Sequence, residues 1–296
     1  MFYSRRDLGK IALATIPAWG AVRAFGAVNS KFKGVQIGVQ TYSFRDLPDA
    51  ANHVIPSMVQ IGLGAAELMS EHAEILAGAP SGAELKAWRA SVSKSASWDK
   101  FKEVRRKFDA AGVQLPLLCY NMSERTTDDE IEYGFQMAQA LGVKAISTST
   151  QVTVSKRVAP FADKYKMMVG YHGHDSTRPN EFATPESFAT AMSYSQYHGV
   201  NLDIGHFTAA NFDPVAYITE HHARITNIHL KDRKKNHGPN VPWGEGDTPI
   251  KEVLRLVAKE KYTFPADIEF EYKVPEGSDV ISEVAKCLKY CKDALS

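Results

Sequence analysis

Eight short apolar runs with strand character alternate with helical patterns along the chain, and this alternation constrains the fold more than any other feature. The runs span residues 35–41, 65–69, 113–119, 144–148, 167–171, 200–204, 225–230 and 266–270. Between them, apolar residues recur three and four positions apart, the spacing of one helix face, as in Phe101, Val104 and Phe108. Eight such units between residues 29 and 296 are what a (β/α)8 barrel requires. The sequence therefore predicts an α/β protein built as a single (β/α)8 barrel.

The part of the chain that forms this barrel shows no sign of a boundary between two domains. Residues 29–296 contain no linker rich in Pro, Gly or Ser, no repeat and no low-complexity tract. Residues 72–97 are longer than one β-α connection needs, and we expect a loop with a short helical insertion over the barrel mouth. We therefore predict one barrel domain over residues 29–296.

The first 28 residues have the pattern of an export signal. Paired arginines in SRRDLG at residues 4–9 precede an apolar stretch at 11–22 and small residues around 24–27. The arginine pair resembles a twin-arginine signal, which predicts a periplasmic or secreted protein of a bacterium. The alternative is an N-terminal helix of the mature fold. Because the apolar stretch is too short for a comfortable membrane span, we expect no stable membrane insertion after processing.

Composition excludes some classes of function. The hydrophobic fraction is 44% and the formal net charge is +1, so the chain lacks the basic excess of a nucleic-acid-binding protein. Of its three cysteines, Cys287 and Cys291 lie four residues apart in a helical pattern, a separation that disulfide geometry seldom accepts. We therefore expect no disulfide framework, no zinc site of the cysteine type and no nucleic-acid partner.

Candidate chemical groups collect at the ends of the last four runs. In a parallel barrel the strands all end at the edge that carries the active site. Each group alone has an ordinary explanation, such as a hydrogen-bonded histidine, a capping aspartate or a solvated charge. Four consecutive runs that share one edge favour a joint site, since buried charges persist only when they are paired or coordinated. The groups are His172, His174, Asp203, His206, His229, Lys231, Glu269 and Glu271.

The types of side chain in this set limit the metals that it can bind. Imidazoles and carboxylates without a thiolate suit Mn²⁺, Co²⁺, Zn²⁺ or Mg²⁺ rather than Cu(I) or an iron–sulfur cluster. An ion of this kind can hold neighbouring sugar oxygens and acidify the hydrogen next to a carbonyl, and flanking carboxylates can then move the proton. We therefore expect a divalent metal ion as cofactor and a shared metal or acid–base site.

Five short motifs, in this order and spacing, resemble the xylose isomerase-like TIM barrel superfamily, in its sugar phosphate isomerase/epimerase branch. They are VQTYSFR at 39–45, LDIGH at 202–206, HLKD at 229–232, GEGD at 244–247 and IEFE at 268–271. The resemblance covers essentially the whole mature chain. It implies that Asp203, His229 and Glu269 bind the metal, that Glu269 is also a base, and that His206 and Lys231 contact the substrate.

The fifth run departs from the pattern of this family. Ketose 3-epimerases have a glutamate there, which binds the metal and shares proton transfer with the glutamate of the last strand, whereas this chain has His172. An imidazole can bind the metal, but it is a different base and removes one negative charge. Epimerisation by two carboxylates is therefore less favoured. Glu271, His174 and His206 are candidates for a second proton-transfer group, although Glu269 and Glu271 lie on one face of their strand.

Four further residues are candidates for contact with the substrate. Tyr42, Phe44 and Trp243 could form apolar walls against a sugar ring, and the alternative for the last two is packing in the core or in a loop. Glu67 lies inside the second run, where an unpaired carboxylate is costly. It is therefore either an acid of the pocket or the partner of a base such as Arg45.

These observations predict a metal-dependent sugar isomerase or epimerase that transfers a proton next to a carbonyl of a small-molecule carbohydrate. A lyase or hydrolase of 3-keto-glycosides is the nearest alternative, because it uses the same proton abstraction with a single base. A non-catalytic sugar-binding barrel is an alternative of another class, although it predicts loss of the metal ligands. An apurinic-site endonuclease is disfavoured by the near-neutral charge, and an oligomer is compatible with the sequence.

Overall fold

The computed structural model of the protein describes residues 28–95 and 97–296. The export signal predicted for residues 1–28 lies outside these residues, apart from its last one. The strands of the described part are β1 Lys31–Phe32, β2 Val35–Gln40, β3 Ala65–Met69, β4 Gln114–Cys119, β5 Ala145–Thr148, β6 Met168–His172, β7 His198–Asp203, β8 Ile225–Leu230 and β9 Ala266–Ile268.

The helices alternate with these strands. They are α1 Ala50–Ile61, α2 Ser70–Leu76, α3 Glu84–Ser93, α4 Asp99–Ala110, α5 Asp128–Leu141, α6 Val152–Tyr165, α7 Pro185–Met192, α8 Ile204–Ala209, α9 Pro214–His221, α10 Ile250–Glu260 and α11 Val280–Ala294. Single turns of 3-10 helix cover Thr41–Phe44 and His222–Arg224. Within the described residues, no helix is long and apolar enough to cross a membrane.

Strands β2 to β9 form a closed parallel barrel. Each strand pairs in parallel with the next one along the chain, and β9 pairs back onto β2, with Val39 opposite Ile268. The short strand β1 pairs antiparallel with β2 outside this ring. The predicted (β/α)8 barrel is therefore confirmed, and β3 and β8 span the same residues as the predicted runs.

The helices form where the apolar spacing predicts them. Phe101, Val104 and Phe108 of α4 are fully buried, so this face of the helix packs on the barrel. Helix α5 ends at Gly142, whose φ of 65° is the left-handed conformation that glycine adopts at little cost. The long connection at 72–97 contains most of α2 and all of α3, so the predicted insertion is helical.

A polar layer crosses the barrel interior below its C-terminal mouth. The side chain of Asn227 donates to Glu67 at 2.7 Å and to Asp267 at 3.0 Å, and both carboxylates are fully buried. Burial, with the charge of Glu67 beside it, raises the pKa of Asp267 to about 7. Gly38 makes room for this carboxylate, because a Cβ at that position would overlap Oδ1 of Asp267.

Candidate active site

The four predicted metal ligands meet at the C-terminal end of the barrel. His172 ends β6, Asp203 ends β7, His229 lies in β8, and Glu269 directly follows β9. All four are buried, and each offers one ligand atom within 4.8 Å of the others. Four neighbouring strands therefore place two imidazoles and two carboxylates around one point, as metal coordination requires.

Two buried atoms of this cluster lack hydrogen-bond partners among the described residues. Oδ1 of Asp203 accepts from the backbone of His206 at 2.7 Å and caps helix α8. Oδ2 of Asp203 makes no hydrogen bond and has an ion-pair contact with Nζ of Lys231 at 3.1 Å, while Nδ1 of His172 has no hydrogen bond. Since a buried polar atom that makes no hydrogen bond is costly, both atoms fit the role of ligands to an ion.

His229 is held in place by a carboxylate on the opposite side of its ring. Its Nε2 donates to Oε2 of Glu67 at 2.6 Å, and its Nδ1 lies 3.0 Å from Oε2 of Glu269. Burial alone would lower the pKa of His229, but the charges of Glu67 and Glu269 raise it well above its usual value. A carboxylate that fixes one nitrogen of a histidine leaves the other nitrogen directed at a metal.

Glu67, predicted as an acid of the pocket or the partner of a base, pairs with His229. Its side chain is fully buried and accepts hydrogen bonds from Ser147, Asn227 and His229, so it positions His229. Pairing with Arg45, the alternative, is wrong, because that guanidinium donates to the carbonyl of Phe270 at 2.9 Å.

Lys231 occupies the centre of a group of carboxylates. Its Nζ lies 3.1 Å from Asp203, 2.8 Å from Glu269 and 2.6 Å from Glu271. Burial opposes the charge on Lys231, but these carboxylates raise its pKa above the usual value. Burial would raise the pKa of Glu269, but Lys231 and His229 hold it well below its ordinary range. Glu269 is therefore ionised at neutral pH.

The balance of charge in the site fits a divalent cation. The four carboxylates of Glu67, Asp203, Glu269 and Glu271 exceed the two cations, the ammonium of Lys231 and the protonated His229, by two charges. The donor set is free of thiolates, which suits Mn²⁺, Co²⁺, Zn²⁺ or Mg²⁺. Burial, and the neighbouring His229, lower the pKa of His172 well below its usual value, so this imidazole is neutral, as a ligand must be.

A second group of imidazoles lies beside the donor set. His172, His174 and His206 also place one ring nitrogen each within 4.8 Å of the others. Nε2 of His206 lies 3.1 Å from Nζ of Lys231, and its Nδ1 faces a carboxylate oxygen of Asp175 at 3.3 Å. Burial, with His206 beside it, lowers the pKa of His174.

Asp175 was not among the predicted site residues, although it holds His206 in position. Its carboxylate accepts from Nη1 of Arg233 at 3.0 Å and from the ring of His237 at 3.2 Å. The hydrogen bond with His206, and then Arg233, keep the pKa of Asp175 well below its ordinary range. Asp175 is therefore a charged residue that orients the loop and His206 together.

A pocket of about 290 Å³ opens above the donor set, close to the lower end of the roughly 300–1,000 Å³ range of small-molecule sites. It brings together seven predicted residues: Tyr42, Glu67, His172, His174, His229, Glu269 and Glu271. Six further residues line it that the sequence did not predict: Gln40, Met69, Cys119, Asn121, Ser149 and Asn201. Of the three predicted catalytic residues, Glu269 lines this pocket, while His206 and Lys231 do not.

Two predicted sugar contacts lie elsewhere. Phe44 is fully buried in the core, because the 3-10 turn that presents Tyr42 to the pocket directs Phe44 inward. Trp243 packs edge-on against Tyr290, with ring centroids 5.8 Å apart, and does not line the pocket. The predicted apolar walls from these two rings are therefore wrong, and Tyr42 alone remains at the mouth.

Comparisons with known proteins agree with this fold. Residues 77–291 match the family model described as a xylose isomerase-like TIM barrel. No protein in a search of curated proteins matches the chain.

Solved structures with the same fold share little sequence with the chain. A probable 3-DHS dehydratase involved in petrobactin synthesis from Bacillus anthracis aligns with a TM-score of 0.65 and 15% identity, over 86% of this chain and 98% of that chain. The IOLI protein with a bound zinc atom gives a TM-score of 0.64 and 11% identity, over 88% and 98%. A sugar phosphate isomerase/epimerase from Parabacteroides distasonis gives a TM-score of 0.61 and 17% identity, over 92% of this chain and 99% of that chain. At these identities the likeness is one of fold.

Proposed function

The chain belongs to the xylose isomerase-like TIM barrel family, and we propose that it is a divalent-metal-dependent sugar isomerase or epimerase. The observation that carries the proposal is the buried set of His172, Asp203, His229 and Glu269 at the mouth of the barrel. The names of the solved structures support it, since one is a sugar phosphate isomerase/epimerase and another binds zinc.

The four donor residues would hold the ion. A bound Mn²⁺, Co²⁺, Zn²⁺ or Mg²⁺ would polarise a sugar oxygen and acidify the hydrogen on the neighbouring carbon. Glu67 keeps the ring of His229 directed at the donor set, and Lys231 fixes Glu269 through a 2.8 Å ion pair.

Glu269 is the proposed base. It is ionised at neutral pH because Lys231 and His229 hold its pKa down, and it lines the pocket. Tyr42 and His174 line the same pocket and would contact the sugar. Glu271 also lines the pocket, and its carboxylate contacts Nζ of Lys231 at 2.6 Å beside that of Glu269 at 2.8 Å, so both carboxylates approach from one side.

This one-sided arrangement favours transfer of a proton between two adjacent carbons. Such an isomerisation needs a single base, whereas epimerisation needs two groups on opposite faces of the carbon. His172 stands where an epimerase has its second carboxylate, and its lowered pKa makes it a poor base. Isomerisation is therefore better supported than epimerisation.

The same observation also favours a second candidate, elimination from a 3-keto-glycoside. Glu269 would take the proton from C2, and the C–H electron pair would form the C1–C2 double bond. The bond from C1 to the glycosidic oxygen would break with its electrons on that oxygen, which then gains a proton. Because Glu269 then carries the proton taken from C2 and lines the pocket, it is the group proposed to return that proton to the leaving oxygen.

Deuterium exchange tests the shared step of both reactions. Protein loaded with Mn²⁺, Co²⁺ or Zn²⁺ is incubated in D₂O with free ketoses and with a 3-keto-glycoside, and NMR follows the hydrogen next to the carbonyl. We expect exchange in the wild type, loss in Glu269→Gln and full retention in the exposed control Glu276→Gln. An isomeric sugar as product indicates isomerisation, and a released alcohol indicates elimination. Absence of exchange with every substrate would favour a non-catalytic sugar-binding barrel.

A further inference from the structure

A second pocket adjoins the one above the donor set. It has a volume of about 320 Å³ and meets the first pocket along the ends of β3 and β4. Met69 and Cys119 line the first pocket, and the residues that follow them, Ser70 and Tyr120, line the second. Asn121 lines both. The two pockets are therefore neighbouring parts of one groove across the barrel mouth.

The inserted segment predicted at 72–97 contributes a wall of this second pocket. Arg89 of α3 lines it and is held there by a bidentate ion pair with the buried Glu74, at 2.6 and 2.7 Å. Glu130, another lining residue, caps the start of α5 together with Thr127. These two charges are occupied by structural contacts, so they shape the pocket more than they bind a ligand.

Other polar groups in the second pocket are free to bind. The guanidinium of Arg125 makes no hydrogen bond or ion pair with any described residue, and it is exposed in the pocket. Oδ1 of Asn121 accepts from the backbone of Ser149 at 2.8 Å, whereas its amide nitrogen has no acceptor among the described residues. The carboxylate of Glu71, also exposed, offers acceptor oxygens. Donors and acceptors therefore face the same space. This suits a ligand with several hydroxyl groups, because each hydroxyl can both donate and accept a hydrogen bond.

The charges of this pocket select a neutral ligand. Arg89 and Arg125 are balanced by Glu71 and Glu130, so the lining carries no formal excess. A phosphate or carboxylate group would meet two carboxylates and find one guanidinium already paired. A neutral sugar unit with several hydroxyl groups can bind to the donors and to the acceptors, and it carries no charge that the two carboxylates would repel.

We propose that the second pocket binds the second unit of a disaccharide or other sugar glycoside whose first unit lies above the donor set. This inference rests on the proposed function, because it takes the first pocket as the place of the reacting sugar. It names a substrate class larger than a free monosaccharide, with the linkage between its two units lying beside Asn121.

Binding of unreactive sugars tests the inference without relying on turnover. Isothermal titration calorimetry compares cellobiose, maltose and trehalose with glucose and with glucose 6-phosphate, for the wild type, Arg125→Ala and the control Arg106→Ala. Arg106 is an exposed residue of α4 that pairs with Glu103 outside both pockets. Circular dichroism confirms that each variant is folded.

We expect at least one disaccharide to bind at least tenfold more tightly than glucose. Arg125→Ala should reduce the ratio of disaccharide to glucose affinity at least fivefold, and Arg106→Ala should leave it unchanged. Affinity for all disaccharides no greater than that for glucose would overturn the inference, as would preferential binding of glucose 6-phosphate that depends on Arg125. Either result, together with intact deuterium exchange on a free ketose, would leave the proposed function standing and reject only the second subsite.

Discussion

Replacing Glu67 by Gln tests how the site holds the proposed metal ligand His229. The substitution keeps the size of the side chain and one acceptor oxygen, but it removes the negative charge that lies 2.6 Å from Nε2 of His229. Without this charge the ring is held less firmly in the orientation that directs Nδ1 at the donor set. Loss of such an outer partner typically costs about 10- to 100-fold in metal affinity, or about 1.4–2.8 kcal/mol.

The assay is a competition titration of Zn²⁺ or Mn²⁺ against a chelating dye. The matched control is Glu74→Gln, which removes another buried carboxylate that accepts hydrogen bonds, in this case from Arg89 and from Tyr133 at 2.8 Å. We expect Glu67→Gln to weaken metal binding at least tenfold and Glu74→Gln to leave it unchanged. Metal affinity of Glu67→Gln within threefold of the wild type would refute the positioning role of this carboxylate.

Two further predictions concern stability. Burial lowers the pKa of His198, so its contribution to stability is full above the unfolded pKa and is lost as the pH falls below it. The free energy of unfolding is measured with urea at about pH 7.5 and 5.5, either side of the reference pKa of about 6.5. It should fall less between these two pH values in His198→Gln than in the wild type. An equal fall in both proteins would contradict this role of His198. Gly38→Ala should destabilise the protein by about 1–3 kcal/mol, because its Cβ would meet Asp267. The destabilisation caused by Gly38→Ala should be smaller in a protein that also carries Asp267→Ala. An unchanged destabilisation would show that another contact is responsible.

The positions of the strands and of the candidate metal ligands were predictable from the sequence. Apolar runs mark strands because both faces of a parallel barrel are buried, and the C-terminal ends of all eight strands meet at one edge. Asp203, His229 and Glu269 lie at or next to the C-terminal ends of their strands, so their meeting at one point follows from the topology. The barrel topology alone therefore groups residues that are far apart in sequence, such as Asp203 and Glu269.

The roles of Glu67 and Asp175 could not be read from local sequence. Glu67 reaches His229 across the barrel, 162 residues away, and Asp175 reaches Arg233, 58 residues away. One signal for the polar layer was present in the sequence. Residues two positions apart on a strand share a face, so Asn227 lies on the same face of β8 as His229, and its side chain donates a hydrogen bond to Glu67.

The direction of aromatic side chains in short turns was also beyond the sequence. Tyr42 and Phe44 lie two residues apart, and the same spacing on a strand would place both on one face. The 3-10 turn Thr41–Phe44 instead leaves Tyr42 exposed and buries Phe44. Trp243 likewise packs on Tyr290 of α11, a contact between distant parts of the chain.

Metal binding by Asp203→Ala is the most direct test of the central claim that four barrel residues hold a divalent ion. Asp203 caps α8 and offers a ligand oxygen, whereas Asp213 caps α9 in the same way and lies outside the donor set. Asp213→Ala is therefore a control for the lost cap, and Asp203→Asn keeps a capping oxygen while it removes the charge. Calorimetric titration with Zn²⁺ or Mn²⁺ should show one bound equivalent in the wild type and in Asp213→Ala, with binding weakened at least 100-fold in both Asp203 variants. Wild-type affinity in Asp203→Ala would contradict the assignment of the metal site.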